Sequence, residues 1–277
     1  MKTIRQAVED AAQRLHGVNA KRDAELLLMH ALKITRAVLL ANPANKIAVE
    51  SWNRFNAIVD LREEGRPIQY ITGVQEFYGL ALEVNMDVLI PRPETEHLVE
   101  AVIARLSADR AVRIVDVGTG SGAIAIALAV HLPKAQVTAV DISEAALTVA
   151  KRNAEALGVA GRVRFLQSDL LAACAGEMFD AVVSNPPYIA DAERATLDVQ
   201  VREFEPAGAL FAGPSGYEVY ERLIPQAWDA LQPGGLLALE MGFGQSARLA
   251  ELLSVWQGVE LVDDLQGIPR VALARRG

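Results

Sequence analysis

The chain has 277 residues, 51% of them hydrophobic, which allows one large domain or a medium domain with a small companion. Its 27 lysines and arginines against 35 aspartates and glutamates give a net charge of −8, so the chain as a whole is not built to wrap a polyanion. A single cysteine, Cys174, excludes a disulfide framework and a cysteine-rich zinc site, and the four histidines, His16, His30, His97 and His131, are too scattered to mark a metal centre. The first residues lack the apolar stretch of a signal peptide, and the run from Ala123 to Val130 is too short to span a bilayer. The expectation is a soluble, cytoplasmic protein that acts as a monomer and needs neither metal, membrane nor nucleic acid.

In chain order, residues to about Gly65 read as helical. Ala24, Leu27, Leu28 and Ala31 fall at helical spacing behind a cap at Asp23, and the segment from Val49 to Glu64 puts Trp52, Phe55, Ile58 and Val59 on one face. Helices this short need a shared core, which predicts a small bundle over 1–66, either a structural cap or a docking module for a macromolecule. From 67 to 93 the character changes to a hairpin and connector. Phe77-Tyr78-Gly79-Leu80 and Leu82-Glu83-Val84 suggest two strands about a turn, and Pro91 and Pro93 stiffen the approach to a helix that starts near Thr95 and Glu96.

From 94 to 277 strands and helices alternate. Strands are expected over Arg113–Val117, Gln136–Val140, Val163–Leu166, Phe179–Ser184 and Leu236–Glu240, with two more near Glu260 and Val271. Helices are expected from Gly122 to His131 and from a cap at Ser143 to Leu157, stopped by Gly158. This alternation predicts an α/β fold with a parallel, doubly wound sheet.

Two motifs carry chemistry. Asp116-Val117-Gly118-Thr119-Gly120-Ser121-Gly122 lies between a strand and a helix, where glycines admit a ligand close to the backbone and the helix N-terminus favours an anion. Asp141 ends the next strand, placed to accept hydrogen bonds from ribose hydroxyls. Gly118, Gly120 and Ala123 also satisfy a dinucleotide pattern, so this loop alone leaves a nicotinamide or flavin enzyme open. The Asp116 carboxylate, expected beside the loop, suits a cationic, amine-bearing ligand better than a pyrophosphate. The second motif, Asn185-Pro186-Pro187-Tyr188, follows a buried strand that the two prolines must terminate, since neither donates an N–H. It sets an amide, two carbonyls and an aromatic face at the carboxyl end of a sheet strand, the end at which ligands bind. Such a group suits holding a planar, amide-like nitrogen while something is transferred to it; by itself it could also be a rigid turn.

Together these motifs resemble a class I methyltransferase that uses S-adenosyl-L-methionine. Glu76-Phe77-Tyr78-Gly79-Leu80, the block Leu89-Ile90-Pro91-Arg92-Pro93-Glu94-Thr95-Glu96, Phe165-Leu166-Gln167-Ser168-Asp169 and Val201-Arg202-Glu203-Phe204-Glu205-Pro206 are similar to the HemK/PrmC family, from about Arg22 to the end of the chain. The resemblance implies methylation of the side-chain amide of the glutamine in the Gly-Gly-Gln motif of peptide chain release factors. It implies that Gly118, Thr119, Gly120, Ser121 and Gly122 line the methionine half of the cofactor, that Asp141 takes the ribose, and that the Ser168-Asp169-Leu170 turn flanks the adenine. Leu170 stands where family members can carry tryptophan. Asn185, Pro186, Pro187 and Tyr188 would hold the glutamine, with Asn185 also near the methyl donor and Arg92 and Glu94 beside the site or forming a surface ion pair. Rival readings are glutamine methylation of a ribosomal protein, amino-methylation of adenine or cytosine in nucleic acid, and a cofactor-binding adaptor without activity.

Overall fold

The computed structural model describes residues 2–15 and 17–277; His16, one of the four histidines weighed above, lies outside the described residues. The chain divides into two units. The helical unit runs to Gly73 and takes in the stretch Asp198–Phe204. Its helices are α1 (Ile4–Leu15), α2 (Ala20–Leu32), α3 (Arg36–Ala41), α4 (Val49–Glu63) and α5 (Ile68–Thr72), the last within the segment read above as connector. Ala24, Leu27 and Leu28 of α2 share a core with Ala7 and Val8 of α1 and with Phe55 and Val59 of α4, while Trp52 and Ile58 pack against its edge. Asp23 does not cap α2, which begins three residues earlier at Ala20. Its carboxylate instead receives the Arg62 Nε–H at 2.9 Å, and Arg62 also donates to Gln200 Oε1 at 2.9 Å. The aspartate is thus a tie between helices, a long-range role that local spacing does not reveal.

The second unit opens with a hairpin of β1 (Val74–Phe77) and β2 (Leu80–Glu83). Tyr78 and Gly79, expected inside a strand, are the turn itself, with φ of 51° and 73°. That left-handed pair is what a two-residue hairpin turn requires. Glu96 stabilises it by accepting the Tyr78 N–H at 2.8 Å. There follow α6 (Glu96–Ile103), β3 (Arg113–Val117), α7 (Ala123–His131), β4 (Gln136–Asp141), α8 (Glu144–Ala156), β5 (Val163–Gln167), β6 (Phe179–Ser184) and β7 (Ile189–Ala190). After α9 (Val199–Phe204), which belongs to the helical unit, come β8 (Phe211–Gly213), α10 (Glu218–Ala230), β9 (Leu231–Glu240), α11 (Ser246–Leu252), β10 (Gln257–Asp263) and β11 (Pro269–Arg275).

Seven strands form the main sheet in the order β10-β11-β9-β6-β3-β4-β5. Six of them run in one direction, but β11 runs antiparallel to both of its neighbours, β9 and β10, so the sheet is mixed rather than wholly parallel. Central strands alternate between two cores: Ile114, Ala181, Val183 and Ala238 pack with α6, α7 and α8 on one face. Val115, Val182, Leu237 and Leu239 pack with α10 and α11 on the other. Helix α7 is buried from Ala123 to Ala129. A helix apolar all round can only lie inside the protein, and burying each Ile or Leu contributes roughly 2 kcal/mol. The chain winds outward from β3 to β5 and then reverses to β6 on the other side of β3. The carboxyl ends of β3 and β6 therefore flank a topological switch point, where such sheets open a crevice.

Candidate active site

Beyond β3 the chain turns through Gly118, Gly120 and Gly122, with φ of 73°, 55° and 83°. The loop is pinned from behind. Gly118 and Thr119 both donate to the Val140 carbonyl, at 2.9 and 3.0 Å, and the Thr119 hydroxyl donates to Asp116 Oδ2 at 2.6 Å. Asp116 Oδ2 also accepts the Ala125 N–H at 3.2 Å, while Oδ1 has no hydrogen-bond partner among the described residues. Burial pushes this carboxyl up to about 7, against the opposing pull of Thr119 and Ala125. Asp116 is therefore spent on the loop and does not line the cavity, contrary to the expectation that it faces a cationic ligand. Ser121 is buried as well, its carbonyl taken by Asn153 Nδ2 at 2.9 Å.

Gly122 leads into α7 where that helix packs tightly against α8. A Cβ there would sit 2.9 Å from Ile126 Cδ1 and 3.1 Å from Ala150 Cβ, on a left-handed backbone. We expect Gly122→Ala to lower the unfolding free energy by about 2 kcal/mol, from crowding and backbone strain together. Urea denaturation checks this, and an unchanged midpoint with unchanged slope would refute it.

Asp141, at the end of β4, joins the loop to the next helix. Its Oδ2 accepts the Gly120 N–H at 2.8 Å and its Oδ1 the Ser143 N–H at 2.9 Å. Burial raises its pKa, and these backbone donors oppose the rise. Ser143 caps α8 as expected, accepting the Ala146 N–H at 3.1 Å.

Strand β6 stops at Ser184, and Asn185 follows, half-buried. Its Nδ2 donates to Thr95 Oγ1 at 3.1 Å. At the other end of the tetrapeptide the Tyr188 carbonyl accepts from Gln245 Nε2 at 3.0 Å, and the Tyr188 hydroxyl lies 3.5 Å from Glu240 Oε1. Burial, then the nearby Glu240, raise the Tyr188 pKa, so the phenol keeps its proton. Two glycines let this segment pack so closely: a Cβ at Gly216 would lie 2.7 Å from the Tyr188 carbonyl oxygen, and one at Gly242 2.9 Å from the Tyr188 ring. Gln245 also accepts the Gly242 N–H at 2.9 Å, and Tyr220 donates to the Glu240 carbonyl at 2.8 Å. Arg92 donates to Glu205 Oε1 at 2.6 Å, and the Glu205 side chain is only 1% exposed, so this is no simple surface pair. The charges of Arg92 and Glu94 also bear on the Tyr188 phenol, the first lowering its pKa and the second raising it.

A cavity of about 310 Å³ opens at the switch point. It brings together Gly118, Gly120, Asp141, Leu170, Asn185 and Pro187 from the residues singled out in the sequence. Thr119, Ser121 and Gly122 shape the loop from behind, and Pro186 and Tyr188 lie outside the cavity wall. Leu170 holds φ of 50°, and such strain on a branched residue is maintained only where the surroundings impose it. Sequence reasoning missed Ile142 and Phe211 on the wall, and Thr95, Glu240 and Gln245 behind the tetrapeptide. A signal existed for Glu240, an acid ending an otherwise apolar strand.

The doubly wound sheet and this crevice define a class I methyltransferase, whose methyl donor is S-adenosyl-L-methionine. The residues present fit that molecule: an open backbone at Gly118 and Gly120, a carboxylate at Asp141 with lone pairs beyond those given to the two N–H groups, and an apolar wall at Leu170 and Ile142. Residues 95–212 match the methyltransferase small domain and residues 6–73 the PrmC N-terminal domain. A release factor glutamine methyltransferase from Moorella thermoacetica is 46% identical over 280 residues, covering 99% of each chain. One from Bacillus subtilis is 42% identical over 284 residues, covering 99% of this chain and 98% of that one. Among solved structures, a methyltransferase from Pyrococcus furiosus shares the fold, with a TM-score of 0.52 at 20% identity over 72% of this chain and 90% of that chain. The chain belongs to the release factor glutamine methyltransferase family.

Proposed function

We propose that the protein transfers a methyl group to the side-chain amide nitrogen of the glutamine in the Gly-Gly-Gln motif of peptide chain release factors. S-adenosyl-L-methionine supplies an electrophilic methyl on a sulfonium sulfur. An amide nitrogen is a poor nucleophile because its lone pair is delocalised into the carbonyl, so the enzyme must position it and enrich it. The Asn185 Oδ1 and the Pro186 carbonyl each accept one hydrogen of the glutamine NH2, which fixes the nitrogen and draws electron density onto it. Tyr188 packs its ring against the amide plane beside Pro187. No strong base is needed, because the proton on the methylated nitrogen is acidic and leaves readily. Most of the acceleration is then positional, up to roughly 7–11 kcal/mol when alignment is good, with fixed dipoles adding to it.

The observation that carries this reading is the commitment of Asn185 Nδ2 to Thr95, which leaves Oδ1 as the acceptor at a cavity wall shared with Asp141 and the glycine loop. We assign the glycine loop and Leu170 to the cofactor, and residues 185–188 to the substrate. We assign the helical unit to docking the release factor; removing residues 1–66 should raise the KM for the factor and leave cofactor affinity unchanged. Among the described residues no helix is long and apolar enough to cross a membrane. With its acidic balance we take the protein to work as a cytoplasmic monomer that binds no nucleic acid of its own. Methyl transfer from labelled S-adenosyl-L-methionine to an unmodified release factor tests the whole reading. Label should appear on the factor and vanish when the motif glutamine is changed to glutamate. Label on ribosomal protein or DNA instead would keep the chemistry and overturn the substrate.

A further inference from the structure

Part of the cavity wall comes from neither the glycine loop, Asp141, Leu170 nor the tetrapeptide. Asp87, Val88 and Leu89 supply it from the stretch between β2 and α6, and Pro206, Ala209 and Phe211 from the stretch that leads into β8. Apart from Phe211, which starts β8, none of these residues lies in an α-helix or a strand. Irregular backbone lacks ladder partners, so other groups must satisfy and place it. The second stretch begins at Glu205, where the chain leaves the helical unit and re-enters the second one. Glu205 Oε2 accepts the Ile90 N–H at 3.3 Å, and Oε1 accepts from Arg92 Nη2 at 2.6 Å, across 115 and 113 residues of chain. The Glu205 side chain is 1% exposed and Ile90 3%, so water has no access to the carboxylate.

We propose that Glu205 is a positioning residue that clamps these two stretches together and so fixes the spacing of the wall around the bound cofactor. The inference rests on the reading of this cavity as the S-adenosyl-L-methionine site. Ile90 directly follows Leu89, and Pro206 directly follows Glu205, so each end of the clamp is one peptide unit from a wall residue. Pro91, Pro93 and Pro206 restrict the backbone on either side, so a displacement at the carboxylate passes to the wall instead of dissipating along the chain. The pairing needs a carboxylate. Each oxygen takes one N–H, and the charge of Arg92 shortens and strengthens the second bond. An amide in that place keeps one acceptor and turns an NH2 toward the other donor, which is left unpaired. With the clamp open, the two stretches are free to part, and the cofactor loses its contacts on that side. Neither Ile90, Arg92 nor Glu205 lines the cavity, so their effect on the ligand acts through the wall.

Glu205→Gln keeps the length of the side chain, and Arg92→Met keeps the stem of the arginine without its donors. Calorimetry with S-adenosylhomocysteine should show each variant binding about tenfold more weakly than the parent, the scale of one charge-assisted hydrogen bond. The double variant should also lose about tenfold, because opening one clamp twice costs no more than opening it once. Independent losses that multiply to about a hundredfold would refute the clamp. In turnover the KM for S-adenosyl-L-methionine should rise about tenfold while kcat at saturating cofactor falls by no more than about threefold, a split that a general loosening of the fold would not give. A kcat loss that matches the rise in KM overturns the proposal. If Glu205→Gln does not fold, Arg92→Met decides alone, since it leaves Ile90 bonded to the carboxylate, and parent affinity in that variant refutes the clamp. Parent affinity in both single variants, beside a weakly binding Asp141→Ala, sinks the clamp alone. Parent affinity in Asp141→Ala as well takes the reading of the cavity with it.

Discussion

Asn185→Ala is expected to lose at least about a thousandfold in kcat while affinity for S-adenosyl-L-methionine changes by no more than about threefold. The substitution removes a side-chain acceptor that lines the cavity beside the glycine loop and is oriented by a neighbour, through the 3.1 Å bond to Thr95. An acceptor that strengthens as positive charge develops on the substrate nitrogen acts on the transition state more than on the bound substrate. The loss should therefore appear in kcat and in kcat/KM alike. Cofactor affinity should survive because the loop and Asp141 hold themselves in place without Asn185, through Val140 and Ser143. The fold should survive too, since β6 ends at Ser184, whose hydroxyl is tied to the Val117 carbonyl at 2.7 Å. Single-turnover kinetics with the release factor separate the step from binding. A variant that keeps even a tenth of the parent rate would remove Asn185 from the chemistry.

The elements that sequence reasoning reads well are those specified locally. Strand β6 ends where two prolines forbid another ladder bond, Ser143 caps α8, and the glycine loop lies between β3 and α7 as its spacing requires. The direction of β11 was not legible, because a strand buried on both faces shows the same apolar run whichever way it points. The Asp116 carboxylate was misplaced for a related reason. A strand pattern tells which residues are near a loop but not on which side of it a side chain falls. Support for the tetrapeptide was hidden by distance along the chain: Thr95 lies 90 residues from Asn185, and Glu240 lies 52 from Tyr188. Ile142 and Phe211 are single apolar residues on the cavity wall outside any periodic run, so nothing nearby marks them as wall rather than surface.

Asp141→Ala is expected to weaken S-adenosyl-L-methionine binding about a hundredfold, roughly 2.7 kcal/mol, within the range for losing charge-assisted hydrogen bonds. Two contributions are folded into that loss. One is the loop: Gly120 N–H and Ser143 N–H lose the carboxylate oxygens that hold them at 2.8 and 2.9 Å. The other is the ribose, whose two hydroxyls we assign to the remaining lone pairs of the same carboxylate. Asp141→Asn should recover little, because an amide turns one donor toward a backbone N–H that it cannot satisfy. Calorimetry with S-adenosylhomocysteine and with its 2′,3′-dideoxy analogue tells the contributions apart. If Asp141 holds the ribose, removing the hydroxyls costs the parent enzyme much of its affinity and costs Asp141→Ala almost nothing. If the carboxylate serves the loop alone, the parent and the variant lose affinity for the analogue by the same factor, and the ribose assignment falls while the loop remains explained.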